Sequence, residues 1–330
     1  MTESQAAKSG RMRRLIRKLR KPAIALAIGA GILIVYNLIM GAMSARWNDA
    51  QPRDPETGIL IGAEELDLGP ESAEAAVLLV HGFVGGSNNF GELPALLADE
   101  GYRVRAMRLP GHGTTPEDFA DTPSSQFSLA VLRELRALKK EHQRVYIVGH
   151  SMGGALAALA AAIEPVDGLV LAAPYFGVTY QWYYVLPPET WTKLTAPFVK
   201  WVYKSRPFIR VNRAEAKDEI LSYVWIPAQG SVTLIEIGES VNDPFVLEQI
   251  ACPVVLMHGT DDFAASPEAA AKAFEQIASD DKTLTWYDRS DHHLFWDYDR
   301  EEVIAQTVGF VNRLEGRSSE TAEASEVSVE

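Results

Sequence analysis

The segment "VGHSMGGALA" at residues 148–157 constrains the fold of this chain more than any other. Ser151 stands between glycines in a G-x-S-x-G pattern, after the apolar run 145–148 and before an alanine-rich stretch at 155–162. The run predicts a short buried strand and the stretch predicts a helix. Such a turn lifts the serine hydroxyl above the carboxyl ends of parallel strands, where ligands bind in open α/β folds. The alternative interpretation is a small-residue turn that only lets a helix pack closely.

Short apolar segments alternate with amphipathic ones along most of the chain. Continuous apolar strands alternating with helices predict a mostly parallel sheet covered by helices on both faces. The segment 57–69 predicts an antiparallel hairpin at one edge of that sheet. The strands are expected at 75–82, 102–111, 144–151, 168–174, 252–259 and 282–290, and the helices at 90–101, 128–142, 266–279 and 300–314.

One long interruption divides this α/β pattern. Residues 57–174 and 250–315 form the predicted α/β core, and the aromatic-rich stretch 175–249 between them shows no clear strand and helix pair. An insertion of this length is usually functional, so we expect a helical lid or cap. Residues 316–330 are acidic without apolar periodicity, which predicts a disordered tail.

The N-terminal region predicts a membrane anchor. Residues 1–21 carry eight Lys or Arg against one Glu, and residues 22–45 carry no charge. About 20 apolar residues in a helix cross the hydrocarbon core of a bilayer. The basic flank predicts that the N-terminus lies in the cytoplasm and the α/β core lies on the extracytoplasmic side, after a linker at 46–56. A cleaved signal peptide is the alternative, but the apolar stretch is longer than the core of such peptides.

Charge and composition exclude several classes of function. The net charge is −13, and because the first 21 residues contribute +7, the rest of the chain carries −20, which disfavours nucleic acid as a partner. Cys252 is the one cysteine, so there is no internal disulfide. The sequence has no phosphate-binding or dinucleotide-binding glycine motif, no H-E-x-x-H and no cysteine cluster, so no cofactor and no metal are expected. The oligomeric state stays open.

A serine nucleophile needs a base, and the base needs an orienting acid. In a strand–serine–helix architecture these follow later in the chain, in the order serine, acid, histidine. Asp261 and Asp262 follow the predicted strand at 252–259, and His292 and His293 follow the next one, at 282–290. The order of the residues alone leaves both choices open.

The motifs together resemble the α/β-hydrolase superfamily, and within it the monoacylglycerol lipase, lysophospholipase and carboxylesterase-like group. The similarity covers about residues 75–313 and rests on "HGFVGGSNNF", "RLPGHGTTPED", "GHSMGG", "HGTDDF" and "SDHHL" in this order. In that group the acid stands three residues after the glycine that ends its strand, which implies Asp262. The histidine lies in an S-x-H or H-x-L context, which implies His292.

Hydrolysis through a tetrahedral intermediate also needs donors for the oxyanion. We expect the backbone N–H groups of Met152, directly after the nucleophile, and of Phe83, in the loop after the strand at 75–82. His81 and His112 lie in neighbouring loops and are expected to hold turns by hydrogen bonds.

The sequence thus predicts a membrane-anchored serine hydrolase that cleaves small-molecule, lipid-like carboxylic esters through an acyl-enzyme. One alternative is a peptidase of the proline-iminopeptidase type, whose substrate amine would need acidic groups such as Glu236, Glu239 or Asp243 in the insertion. Another is a tethered, non-catalytic binding module on the same scaffold.

Overall fold

A computed structural model describes residues 3–179, 185–205 and 209–317 of the chain. Its main feature is a seven-stranded sheet in the order β1-β3-β2-β4-β5-β8-β9, in which β1 alone is antiparallel to its neighbour. These strands are β1 (Leu66–Leu68), β2 (Ala75–Val80), β3 (Arg103–Met107), β4 (Arg144–His150), β5 (Gly168–Ala172), β8 (Val254–Gly259) and β9 (Lys282–Tyr287), while β6 (Trp201–Tyr203) and β7 (Trp225–Pro227) form a separate antiparallel pair.

Helices cover both faces of the large sheet. One face packs against α4 (Ser124–Glu141), α5 (Met152–Ile163) and α9 (Pro267–Gln276), and the other packs against α2 (Leu93–Asp99) and α10 (Arg300–Leu314). The predicted α/β architecture is therefore confirmed. The other helices are α1 (Glu3–Asp49), α3 (Pro116–Ala120), α6 (Pro188–Thr195), α7 (Ala228–Val241) and α8 (Pro244–Leu247), and short 3₁₀ helices lie at Ser87–Phe90, Ala214–Asp218 and Leu294–Trp296.

Strand β2 shows why the central strands of the sheet consist largely of apolar residues. All six residues of β2 are buried. Leu78 and Val80 contact the layer that contains α4 and α5, whereas Val77 and Leu79 contact the layer that contains α2 and α10. A parallel strand between two helical layers must be apolar on both sides, which fixes this sheet in the centre of the core.

Two local predictions differ from the structure. The hairpin expected at 57–69 is a single edge strand, β1, preceded by an isolated bridge between Arg53 and Leu60. Helix α1 continues to Asp49, so residues 46–49 of the expected linker are helical. The ring of Trp47 packs edge-on against Tyr223 at 5.8 Å, which holds this last turn on the body of the protein.

The insertion at 175–249 contains more regular structure than its sequence indicated. It includes α6, α7, α8 and the β6–β7 pair. Tyr223 and Trp225 are buried, whereas Trp191, Phe198 and Tyr203 are about half exposed. The expected disordered tail falls almost wholly on residues 318–330, which lie outside the described part of the chain.

Candidate active site

Ser151 occupies a strained turn between β4 and α5. Its backbone has φ 56° and ψ −121°, in the left-handed region that residues other than glycine rarely adopt. Such a conformation costs roughly 1–3 kcal/mol and persists only where the surroundings fix it. Here the Ser151 N–H donates to the Ala172 carbonyl at 3.0 Å, and the Ser151 carbonyl accepts from the Tyr175 N–H at 2.9 Å. The turn is therefore held from the end of the neighbouring strand β5.

The flanking glycines are required by close backbone approach. A Cβ atom on Gly149 would collide with the Gly153 carbonyl, and one on Gly153 would collide with the Val80 carbonyl at the end of β2. Any side chain at these positions would push α5 away from the sheet. This accounts for the G-x-S-x-G spacing and argues against the interpretation of a turn that serves packing alone, because the serine itself carries the strain.

Three side chains from separate strand ends form a hydrogen-bonded row. The Ser151 hydroxyl donates to His292 Nε2 at 2.8 Å, and His292 Nδ1 donates to Asp262 Oδ2 at 2.7 Å. Asp262 Oδ1 accepts from the N–H groups of Ala264 and Ala265 at 2.7 and 2.9 Å. Asp262 follows β8 and His292 follows β9, so the parallel sheet brings all three to one edge.

The order of residues in the chain left two choices open, one between two aspartates and one between two histidines. The surroundings of the candidates differ sharply. Asp262 is 1% exposed and contacts His292, whereas its neighbour Asp261 is exposed. His293 is buried, but its Nδ1 has no hydrogen-bond partner in the described part of the chain. The structure thus brings Ser151, His292 and Asp262 together and leaves Asp261 and His293 outside this row.

The carboxyl group of Asp262 is poised to stay ionised. Burial acts to raise its pKa, but the charge and hydrogen bond of His292, a longer contact with His258 at 3.7 Å and the backbone amides outweigh burial and lower the pKa below its ordinary value. An ionised carboxylate at this position fixes the tautomer of His292 and would stabilise a positive charge on its ring.

The loop after β2 approaches the serine closely. A Cβ atom on Gly82 would lie 3.0 Å from the Ser151 Cβ, closer than most side-chain contacts, so glycine suits this approach. The Gly82 N–H donates to Asn89 Oδ1 at 3.0 Å, which fixes the loop. Within residues 3–179, 185–205 and 209–317, neither the Phe83 N–H nor the Met152 N–H has a hydrogen-bond acceptor. Both groups therefore remain available to a ligand.

His81 and His112 hold these loops, as expected. His81 Nε2 accepts from the Leu109 N–H at 3.0 Å, and His112 Nε2 accepts from the Val84 N–H at 3.2 Å. Burial lowers the pKa of His112 to about 4 and that of His81 well below its usual range. Both rings are thus neutral and act as structural hydrogen-bonding groups.

Sequence reasoning missed two supporting residues, His150 and Asn89. His150 Nε2 donates to the His292 carbonyl at 3.0 Å, and burial lowers the pKa of His150 to about 3. Asn89 orients Gly82, as described above. Both stand inside motifs that carried the prediction, "GHSMGG" and "HGFVGGSNNF", but their partners are distant in sequence and only the fold reveals them.

The cavity above Ser151 has a volume of about 130 Å³. Its walls combine core loops with residues of the insertion, among them Tyr175, Val178 and Leu234. Two basic side chains, Lys204 and Arg210, also line it, although nothing in the sequence predicted them there. Among the described residues, no three His, Cys, Asp or Glu side chains come together in a way that could hold a metal ion.

Known proteins resemble this chain along most of its length. The family model described as "Serine aminopeptidase, S33" matches residues 71–299. A carboxylesterase of Bacillus subtilis (strain 168) is 23% identical over 247 residues, which cover 74% of this chain and 95% of that protein. The thermostable monoacylglycerol lipase of Bacillus sp. (strain H-257) is 26% identical over 259 residues, which cover 78% and 98%.

Solved structures agree in fold. A chain from the structures of LipS and LipT, two metagenome-derived lipolytic enzymes, aligns with a TM-score of 0.69 and 26% identity, covering 77% of this chain and 99% of that one. The monoacylglycerol lipase of Paleococcus ferrophilus aligns with a TM-score of 0.63 and 23% identity, covering 76% and 98%. These similarities confirm the α/β-hydrolase fold and the resemblance drawn from the motifs.

Proposed function

The chain belongs to the serine aminopeptidase S33 family of α/β-hydrolases, and we propose that it hydrolyses carboxylic esters through an acyl-enzyme formed on Ser151. Its likeness to a carboxylesterase and a monoacylglycerol lipase, along nearly the whole of each, places it among the carboxylic ester hydrolases. The observation that carries the mechanism is the row from Ser151 through His292 to Asp262, with 2.8 and 2.7 Å between successive polar atoms.

Acylation begins when the Ser151 oxygen attacks the ester carbonyl carbon while His292 Nε2 takes the hydroxyl proton. The tetrahedral oxyanion accepts hydrogen bonds from the Phe83 and Met152 N–H groups, which have no acceptor in the described part of the free protein. The carbon–oxygen bond to the alcohol then breaks, and the imidazolium of His292 donates its proton to the departing alkoxide. The alcohol leaves, and the acyl group stays on Ser151.

Deacylation repeats these steps with water as the nucleophile. His292 Nε2 takes a proton from water, whose oxygen attacks the acyl carbon, and the same two amides bind the second oxyanion. The bond to the Ser151 oxygen breaks, the proton returns to that oxygen, and the carboxylic acid is released. Asp262 remains ionised throughout and keeps the Nδ1 proton of His292 in place.

The insertion is proposed to act as a lid that supplies part of the substrate pocket. Tyr175, Val178 and Leu234 line the cavity above Ser151, and the Thr179 hydroxyl donates to the Asp262 carbonyl at 2.8 Å. These contacts tie the start of the insertion to the acid loop. An apolar wall next to the nucleophile suits the acyl chain of a lipid-like ester.

A peptidase of the proline-iminopeptidase type is less well supported. The three acidic residues that could bind a substrate amine lie elsewhere: Glu239 pairs with Lys193 at 2.6 Å, Asp243 caps α8, and Glu236 is not among the residues that line the cavity. A substrate ammonium would instead meet positive side chains in the cavity. A non-catalytic binding module is disfavoured because the serine, histidine and aspartate are already hydrogen bonded.

We also propose that α1 is retained as a single-pass anchor, with the N-terminus in the cytoplasm. Residues 17–49 are long and apolar enough to cross a membrane. The Tyr36 hydroxyl donates to the Trp201 carbonyl at 3.0 Å. Asn37 donates to the Phe198 carbonyl at 2.8 Å and accepts from the Lys200 N–H at 2.9 Å. A cleaved signal peptide would forfeit these contacts with the insertion.

The proposed anchor would bring part of the insertion near the bilayer, because Tyr36 and Asn37 of α1 contact that part. About 20 helical residues starting at Pro22 span the hydrocarbon core, so residues 36 and 37 fall towards its far side. Carbonate extraction of membranes tests the anchor: the intact chain should stay in the membrane pellet, and an added protease should reach the catalytic domain only from the extracytoplasmic side. A processed chain in the soluble fraction would contradict the anchor.

The reaction class is tested with two matched substrate series on the purified protein. One series contains p-nitrophenyl esters of increasing acyl length, and the other contains p-nitroanilides of amino acids. We expect ester hydrolysis to exceed amide hydrolysis at every length. Faster turnover of an aminoacyl amide, including a prolyl one, would replace the esterase by the peptidase.

A further inference from the structure

Helix α6 of the insertion turns its apolar side chains outward. None of its eight residues is buried. Trp191 and Leu194, which stand three residues apart on one side of the helix, are 48% and 56% exposed. The charged side chains of α6 contact the protein instead: Glu189 accepts from a backbone N–H at the start of the insertion at 3.1 Å, and Lys193 pairs with Glu239 of α7 at 2.6 Å. In water an amphipathic surface helix packs its apolar side against the core, so the orientation of α6 suits an apolar medium outside the protein.

The outward apolar stripe continues into the turn that follows α6. The Val199 N–H donates to the Thr195 carbonyl at 2.9 Å, which extends the helical hydrogen-bond pattern beyond the last residue of the helix. Phe198 is 62% exposed and therefore lies on the same side as Trp191 and Leu194. We call these three residues the apolar face of the insertion. A contiguous exposed apolar surface of this kind indicates contact with another apolar surface.

The contacts of α1 identify that other surface. Asn37 donates to the Phe198 carbonyl at 2.8 Å and accepts from the Lys200 N–H at 2.9 Å, and the Tyr36 hydroxyl donates to the Trp201 carbonyl at 3.0 Å. The end of the apolar face is thus attached directly to the long apolar helix that we propose as the membrane anchor.

The rise of α1 gives the depth of this attachment. In a helix along the membrane normal, Asn37 lies about 22 Å from Pro22, so it stands about 8 Å inside the far boundary of a hydrocarbon core of about 30 Å. At that depth no water can satisfy polar backbone groups. Asn37 supplies partners for the Phe198 carbonyl and the Lys200 N–H, which fits a contact made within the bilayer.

We propose that the apolar face of the insertion lies in the extracytoplasmic leaflet of the bilayer, among the lipid acyl chains beside α1 and held there by α1. The catalytic domain is then bound to the membrane by two elements, the anchor and the insertion. Lys200 is exposed at the end of this segment, and its flexible stem lets the ammonium reach the lipid phosphates. This inference rests on the proposed anchor and is independent of the reaction class.

The test measures the depth of single labelled positions in the full chain, reconstituted in phosphatidylcholine vesicles. Cys252 is the one cysteine of the chain and is replaced by serine. Leu194→Cys and Phe198→Cys are then introduced separately and labelled with an environment-sensitive fluorophore. Phospholipids that carry a nitroxide on the acyl chain quench a fluorophore that lies among the chains.

Two labelled variants frame the result. Ile32→Cys reports the anchor, because Ile32 is an exposed residue of α1. Ile163→Cys reports the aqueous side, because Ile163 is exposed at the end of α5, about 17 Å along that helix from the nucleophile turn. Labels at 194 and 198 should be quenched at least about half as strongly as the label at 32, since an interfacial apolar face lies about 5–10 Å deep. The label at 163 should not be quenched.

Each way of failing has its own pattern. Labels at 194 and 198 that are no more quenched than the label at 163, while the label at 32 is quenched, would overturn the inference and leave the anchor standing. An unquenched label at 32 would overturn the anchor and the inference with it. Crosslinking of two copies through Leu194→Cys without lipid quenching would identify a second copy of the chain as the occupant of the face, and would also overturn the inference. Hydrolysis of p-nitrophenyl butyrate by the same samples reports the esterase separately.

Glycine variants of α1 test the attachment. A Cβ atom on Gly41 would lie 3.3 Å from Trp201 Nε1, so Gly41→Leu should push the insertion away from α1 and lower the quenching of the label at 198. Gly29→Leu is the matched control in the same helix, because a Cβ atom on Gly29 would meet no described atom within 4 Å. Equal quenching at 198 in Gly41→Leu and Gly29→Leu would refute the role of α1 in holding the face.

If a variant does not fold, photolabelling of the wild-type chain decides. A phospholipid with a photoreactive diazirine in its acyl chain is included in the vesicles, and the modified peptides are identified by mass spectrometry. We expect adducts on residues 188–200 as well as on α1. Adducts on α1 without any on residues 188–200 would contradict the inference.

Discussion

Replacing Asp262 by Asn tests the electrostatic arrangement of the site more selectively than removing the nucleophile. The carboxylate accepts from His292 Nδ1 through one oxygen and from the Ala264 and Ala265 amides through the other. Asparagine has one acceptor oxygen. If that oxygen faces the two amides, the NH₂ group faces His292, which must then carry its proton on Nε2 and cannot accept one from Ser151.

The expected effect of Asp262→Asn is a fall in kcat of about 10³- to 10⁴-fold, equivalent to about 4–5.5 kcal/mol of transition-state stabilisation. KM should change far less, because the carboxylate lies behind the histidine and does not touch the substrate. The assay is steady-state hydrolysis of p-nitrophenyl butyrate, with the thermal transition measured in parallel to establish that the variant is folded.

Asp261→Asn is the matched control. It makes the same chemical change one residue earlier in the same loop, but on an exposed side chain outside the hydrogen-bonded row. Its activity should stay within about twofold of wild type, as for other surface substitutions. A folded Asp262→Asn enzyme that keeps more than a tenth of its kcat, or a larger loss in Asp261→Asn, would refute the assigned acid.

One pH prediction follows from two buried histidines outside the hydrogen-bonded row. Burial lowers the pKa of His112 to about 4 and of His150 to about 3, so both stay neutral in the folded protein while the unfolded chain takes up protons below about pH 6.5. Each should therefore remove about 2 kcal/mol of stability between pH 7 and 5, and urea titrations that show no such fall would contradict the burial of neutral rings.

Much of the core could be predicted because its signals are local. Strands β2 and β5 are unbroken apolar runs, and β4 and β8 each contain four consecutive apolar residues. Ser266 caps α9 as expected, accepting from the Ala269 N–H at 3.1 Å. The secondary structure of the insertion was harder to predict. Strands β6 and β7 have three residues each, and a pattern this short cannot be distinguished from that of a loop.

The residues of the site also differ in whether the sequence could predict them. Ser151 was found from its own motif, because a strained turn requires glycines on either side. The choice of Asp262 and His292 came from family resemblance, since Asp261 and His293 satisfy the same chain order. Lys204 and Arg210 could not be found from the sequence, because they lie in irregular chain and reach the cavity only through the folding of the insertion.

The most direct test of the mechanism is intact-mass analysis after treatment with a fluorophosphonate, which reacts with an activated serine. We expect one adduct per chain, mapped by peptide analysis to Ser151, absent in Ser151→Ala and formed far more slowly in His292→Ala. A wild-type protein that takes up no label, or a Ser151→Ala variant that is labelled as before, would contradict the role assigned to this serine.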